Sequence, residues 1–71
     1  MASAHVVPSG TQWQVKDGVV ISTHNLQADA INAARSYIAA RGGGELFIHG
    51  ENGAVRAKDT VAPGNDPRGR G

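Results

Sequence analysis

The chain has 71 residues, 39% of them apolar, and seven Lys and Arg against six Asp and Glu, a formal charge of +1. That length holds one small domain, and so balanced a charge does not by itself mark a nucleic-acid or membrane binder. Cysteine is absent, which excludes disulfides and thiolate metal sites, and no apolar run approaches the roughly 20 residues that span a bilayer.

The opening MASAHVVPSG has neither a basic leader nor an apolar core segment, so no signal peptide is read and a cytoplasmic location is expected. His5-Val6-Val7 is a short β-type run, stopped by the turn signal Pro8-Ser9-Gly10-Thr11. Gln12-Trp13-Gln14-Val15-Lys16 alternates polar and apolar, which places Trp13 and Val15 on one face of a second strand. Asp17-Gly18 is a dipeptide favoured in two-residue type I′ hairpins, and Val19-Val20-Ile21-Ser22-Thr23 supplies the β-branched return. Three strands in a meander result.

The period then changes. Residues 26–41, LQADAINAARSYIAAR, are alanine-rich and free of Gly and Pro, which predicts a helix. Ala30, Ile31, Ala34, Tyr37, Ile38 and Arg41 recur at three- and four-residue intervals and form a largely apolar face. Asn25 is the expected N-cap, Asp29 suits the positive end of the helix dipole, and Arg35 and Arg41 lie toward the negative end. Gly42-Gly43-Gly44 closes the helix as a C-cap and linker. A phosphate cradle would need its glycines before a helix instead.

Glu45-Leu46-Phe47-Ile48-His49 is the fourth strand, Asn52-Gly53 a second type I′ signal, and Ala54-Val55-Arg56-Ala57-Lys58 the return. After Thr60 the Pro- and Gly-rich tail, residues 61–71, is expected to be disordered. The reading is a single α+β domain over residues 1–60, order βββαββ, with one helix packed on an antiparallel sheet. Trp13, Val15, Leu46 and Ile48 are expected beneath the helix. Gln12, Gln14, Lys16 and Phe47 are expected on the opposite face, which meets solvent or a partner. With one Trp, one Tyr and one Phe in the chain, each aromatic is expected to anchor the core, and a dimer sharing its core stays open.

An ordered set of motifs carries a family likeness. They are His5-Val6-Val7-Pro8, Trp13-Gln14-Val15-Lys16 and Ala30-Ile31-Asn32-Ala33-Ala34-Arg35, then Gly44-Glu45-Leu46 and His49-Gly50-Glu51-Asn52-Gly53. Lys58-Asp59-Thr60 and Gly64-Asn65-Asp66-Pro67 complete the set. In these the chain resembles the family of small bacterial and phage proteins catalogued as domain of unknown function 2188. It departs from the family pattern at the helix start, where Asn25-Leu26 replaces an Asp-Thr pair. The resemblance spans nearly the whole chain and implies the fold class without an activity. Residues 11–41 also resemble, in pattern, the arm-binding domains of phage-type integrases, which lay a sheet into DNA.

Candidate chemistry is sparse. His5, His24 and His49 are the strong neutral-pH ligands or bases, but their spacing preforms no metal site, and each is read as a local hydrogen-bonding residue. His5 and His49 become neighbours only if their strands pair. Ser9, Ser22 and Ser36 sit in no nucleophile setting, so neither catalysis nor a cofactor is expected, nor a small-molecule substrate. The candidate binding residues are Lys16, His49, Arg56, Lys58 and Asp59 in or beside the hairpins, with Arg68 and Arg70 in the tail. Asp17, Glu45, Glu51 and Asp59 dilute any positive stripe. The expected role is a non-catalytic binding module, acting through protein–protein or homo-oligomeric contacts on a sheet face or edge. The alternative is DNA binding through the sheet or second hairpin, helped by the basic tail.

Overall fold

His5-Val6-Val7 lies within a longer first strand, and each expected strand forms. The structure, a computed structural model, describes residues 2–64. Its elements are β1 (Ala2–Ser9), β2 (Gln12–Asp17), β3 (Val19–His24), α1 (Gln27–Ala40), β4 (Gly44–His49) and β5 (Val55–Val61). The domain is α+β with the expected order βββαββ.

The sheet is mixed rather than antiparallel throughout. Its spatial order is β3-β2-β1-β4-β5, and β1 pairs with β4 in parallel, Ala4 facing Leu46 and His5 facing Phe47. Two hairpin steps make β3 run the same way as β1. The helix then returns the chain across the sheet, so β4 enters in that direction too, as a helical crossover requires. The other neighbouring pairs are antiparallel.

The core lies between the helix and one sheet face. Ala4, Val6, Val15 and Leu46 from the sheet meet Ala30, Ala34 and Ile38 from the helix, all fully buried. Alanines on the helix let it sit close to the strands. Trp13, Ile31, Tyr37 and Ile48 pack around this centre half-buried. Burying each of Ile38, Leu46, Val6 and Val15 stabilises the fold by about 1.5–3 kcal/mol.

Local chemistry departs from expectation at three places. Among the described residues no non-glycine has positive φ, so neither Asp17-Gly18 nor Asn52-Gly53 forms a type I′ turn, which needs two such residues. In the second hairpin Gly50 N–H donates to Ala54 O and Gly53 N–H to Gly50 O, both at 2.9 Å. That is a three-residue loop in which Gly53, at φ 86°, supplies the left-handed residue. At the helix start Leu26, in extended conformation, occupies the N-cap position without a side-chain cap. Asn25 is committed elsewhere, its Oδ1 accepting from Gln12 Nε2 at 2.9 Å.

At the other end Gly43 N–H reaches Ile38 O at 3.0 Å and Gly42 N–H reaches Ala39 O at 3.2 Å. This is the Schellman pattern, with Gly42 at φ 92° and Gly43 at φ 89°. The packed chain also continues beyond Thr60. Val61 ends β5 in the core, 9% exposed, and Gly64 N–H donates to Ala39 O at 3.1 Å. The rest of the expected tail lies outside the described residues.

Candidate functional site on the open face of the sheet

Strand alternation sends every second side chain away from the helix. Register then aligns four of them in one row across four strands. Lys16 of β2 faces His5 of β1, His5 faces Phe47 of β4, and Phe47 faces Lys58 of β5. The His5 and Phe47 rings stack with centroids 4.6 Å apart and planes 12° from parallel. Lys58 Nζ lies 5.9 Å from the Phe47 ring centroid, within cation–π range. Both lysines are exposed.

His49 stands two residues along β4 from Phe47, on the same face. Its Nε2 lies 2.9 Å from His5 Nδ1, and its Nδ1 lies 2.8 Å from Gly53 O. A carbonyl only accepts, so His49 Nδ1 carries hydrogen. Neutral His49 then accepts at Nε2 from His5 Nδ1–H, which leaves His5 Nε2 as the uncommitted nitrogen. One added proton at His5 Nε2 keeps both hydrogen bonds. A second would set two N–H groups against each other and break the link. Burial, and then the neighbouring His49, push the His5 pKa below its ordinary value, while Asp17 acts the other way.

The acidic residues are distributed unevenly. Asp17 accepts from Tyr37 OH at 2.6 Å and Asp59 pairs with Arg35, so both are turned to the helix side. The Arg35 hydrogen bond and charge hold the Asp59 carboxyl below the usual carboxylate range. The carboxylates of Asp17 and Asp59 are thus engaged on the helix side, although the charge of Asp17 still reaches His5. Glu45 lies on the open face, with Oε2 accepting from Thr60 Oγ1 at 3.2 Å. Its Oε1 is buried with no hydrogen-bond partner among the described residues.

Of the residues singled out from sequence, the fold therefore gathers Lys16, His49 and Lys58. Arg56 is exposed at the irregularity of β5, where pairing slips between Ile48 and His49. Asp59 belongs to the helix-side ion pair, and Arg68 and Arg70 lie outside the described residues. His5 and Phe47, the centre of the row, were not among the candidates. Phe47 was expected on this face, and His5 was expected beside His49 if their strands pair, as they do; the contact of His5 with Phe47 depends on that pairing being parallel. Phe47 therefore does not anchor the core.

Other groupings bring less together. Ser22 Oγ and His24 Nε2 are 2.8 Å apart on β3, but no third side chain orients His24 among the described hydrogen bonds. Among the described residues no three potential ligands gather for a metal ion, and no helix is long and apolar enough to cross a membrane. A recess of about 310 Å³ beside the β1–β2 turn is lined by Pro8, Gly10, Thr11, Gln12, Trp13 and Glu51. Glu51 is its one ionisable side chain.

The two sheet edges differ as well. β5 carries Arg56, Lys58 and Asp59 along its exposed length. β3 carries no Lys, Arg, Asp or Glu, and Val19, Val20 and Ile21 stand 66%, 48% and 39% exposed.

Over residues 4–61 the chain matches the model of a family described as an uncharacterized protein conserved in bacteria, DUF2188. The chain belongs to this family. No curated protein and no solved structure matches it. The match covers all five strands and the helix from Ala4 onward, and therefore takes in the whole Lys16–His5–Phe47–Lys58 row. The family description names no activity.

Proposed function

We propose that this domain is a non-catalytic binding module that pairs with a second copy of itself along β3. The carrying observation is the contrast between the two edges. An exposed strand offers unpaired N–H and C=O groups, and proteins commonly protect such edges with charge. β5 has that protection. β3 instead offers a run of β-branched side chains without a charge, and exposed Leu26 follows just beyond it.

A second copy suits this edge because antiparallel pairing of identical strands is self-complementary about a two-fold axis. Joining two five-stranded sheets in this way leaves a β5 at each outer edge. Their charges stop further growth, so assembly closes at the dimer. The axis stands normal to the sheet, so both helices lie on one side and both open faces on the other. The added contact also offsets the small core of a short chain.

Light scattering over a concentration series tests this reading. The expected result is a dimer that Val20→Lys converts to a monomer with unchanged circular dichroism. A strict monomer at millimolar concentration refutes the reading, as does a dimer indifferent to the new lysine.

A further inference from the structure

We propose that the open face binds single-stranded nucleic acid across the row Lys16–His5–Phe47–Lys58, and that binding takes up one proton at the His5–His49 pair. This goes beyond self-association and does not depend on it, because the row lies within one copy.

Charge complementarity indicates the class of partner. Two exposed lysines stand at the ends of the row, on strands three spacings or about 14 Å apart. Asp17 and Asp59, next in sequence to those lysines, are held on the opposite face by Tyr37 and Arg35. The stripe is therefore more basic than the chain's net charge suggests. Between the cations lie stacked imidazole and phenyl rings. A phosphodiester chain carries anions and flat apolar groups in alternation, and meets both elements. A purely anionic polymer would meet only the lysines.

Width indicates the form of the nucleic acid. Five strands at about 4.8 Å spacing present a face near 19 Å across, whereas a major groove of about 12 Å admits a helix or a two-stranded ribbon. A single strand can lie across an open sheet, and such faces use aromatic side chains against bases and basic groups against phosphates. The sheet is thus the binding face, rather than the second hairpin entering a groove.

The histidine pair supplies the coupling. Burial, and then His49 from β4, disfavour a positive His5, and Asp17 at the end of β2 favours it. Lys16 and Lys58 flank His5 in the row, and Glu45 lies on the same face of β4. A phosphate beside His5 Nε2 reverses that balance. The proton enters at the one free nitrogen, and both existing hydrogen bonds persist. No covalent step is involved.

Fluorescence anisotropy with labelled single strands of DNA and RNA, and the matching duplex, provides the test at low and high salt. The expected results are preference for the single strand and a log K against log salt slope of roughly −1.4 where His5 stays neutral, from about 0.7 for each of two lysine contacts. The slope should steepen toward roughly −2.1 on acidification, as protonated His5 adds a third. Affinity should rise on acidification toward a limit of tenfold per pH unit, the signature of one proton taken up. Lys16→Glu with Lys58→Glu should abolish binding, and Arg41→Gln on the helix side should not change it. His5→Gln should flatten the pH dependence while the lysine contacts persist, and His49→Gln serves where that variant folds poorly. Absence of single-strand binding at low salt and acid pH overturns the proposal. So does equal or tighter binding of duplex, or of heparin. Indifference to the paired Lys→Glu change overturns it too, and a pH slope unchanged in both histidine variants refutes the proton uptake.

Discussion

Gly42, Gly43 and Gly44 look equivalent in sequence, yet the structure predicts different costs for replacing them. A Cβ added at Gly44 would stand 1.7 Å from Ala2 O, where ordinary contact begins near 3.4 Å. The start of β1 would have to withdraw by roughly 1.7 Å to regain that contact distance. Such a shift breaks the 3.0 Å bond from Ala2 N–H to Gly43 O, worth about 1 kcal/mol. It also strains the packing of Ala4 against Leu46, and overpacking of this kind costs about 1–3 kcal/mol. Gly44→Ala should therefore destabilise by about 2–4 kcal/mol, a large share of the roughly 4–11 kcal/mol expected of 71 residues. Gly42 has φ 92° but nothing within 4 Å of its added Cβ. Gly42→Ala should cost about 1–2 kcal/mol from the left-handed backbone alone, and Gly42→Asn less. Urea unfolding followed by the fluorescence of Trp13 measures all three. If Gly44→Ala is as stable as Gly42→Ala, the close approach of β1 and β4 is wrong. Failure of Gly44→Ala to fold where Gly42→Ala folds is the expected direction.

Ile38→Ala should cost about 2–5 kcal/mol in the same assay, since Ile38 is fully buried between helix and sheet. A loss below 1 kcal/mol would place the helix elsewhere. The phenol of Tyr37, the chain's one tyrosine, should ionise above its ordinary range, because its hydrogen bond to Asp17 favours the neutral form. Ultraviolet titration should show that midpoint fall in Asp17→Asn; an unmoved midpoint would deny the contact. His5 is depressed by burial first and by His49 second. A depressed histidine contributes stability that is present above its unfolded pKa of 6.5 and lost as pH falls through the folded value. Urea midpoints should therefore drop between about pH 8 and about pH 5, and by less in His5→Gln. An identical drop in that variant would clear the pair of this role.

Periodicity alone was enough to place the elements. The change from two-residue alternation in Gln12–Lys16 to three- and four-residue spacing in the helix marked where strands give way to α1. Alternation also separated Trp13 and Val15 from Gln14 and Lys16, because side-chain direction in a strand is a local property of the backbone. Turn type was less legible: Asp17-Gly18 and Asn52-Gly53 each mark a reversal, but strand register decides which loop closes it.

Strand neighbourhood depended on tertiary structure. His5 and Phe47 are far apart in the chain, and nothing local to either reports that the helical crossover lays β4 parallel beside β1. That single pairing sets the His5–Phe47 stack, links His5 to His49, and joins Lys16 to Lys58 in one row. Charge segregation followed the same rule. Asp17 and Asp59 looked like neutralising neighbours of Lys16 and Lys58 in sequence, but adjacent strand residues point to opposite faces, and Tyr37 and Arg35 hold them on the other side. The sequence by itself determined which faces exist, because facing is set by backbone geometry one residue at a time. Which faces meet depends on how the helix carries the chain across the sheet, and only the folded molecule decides that.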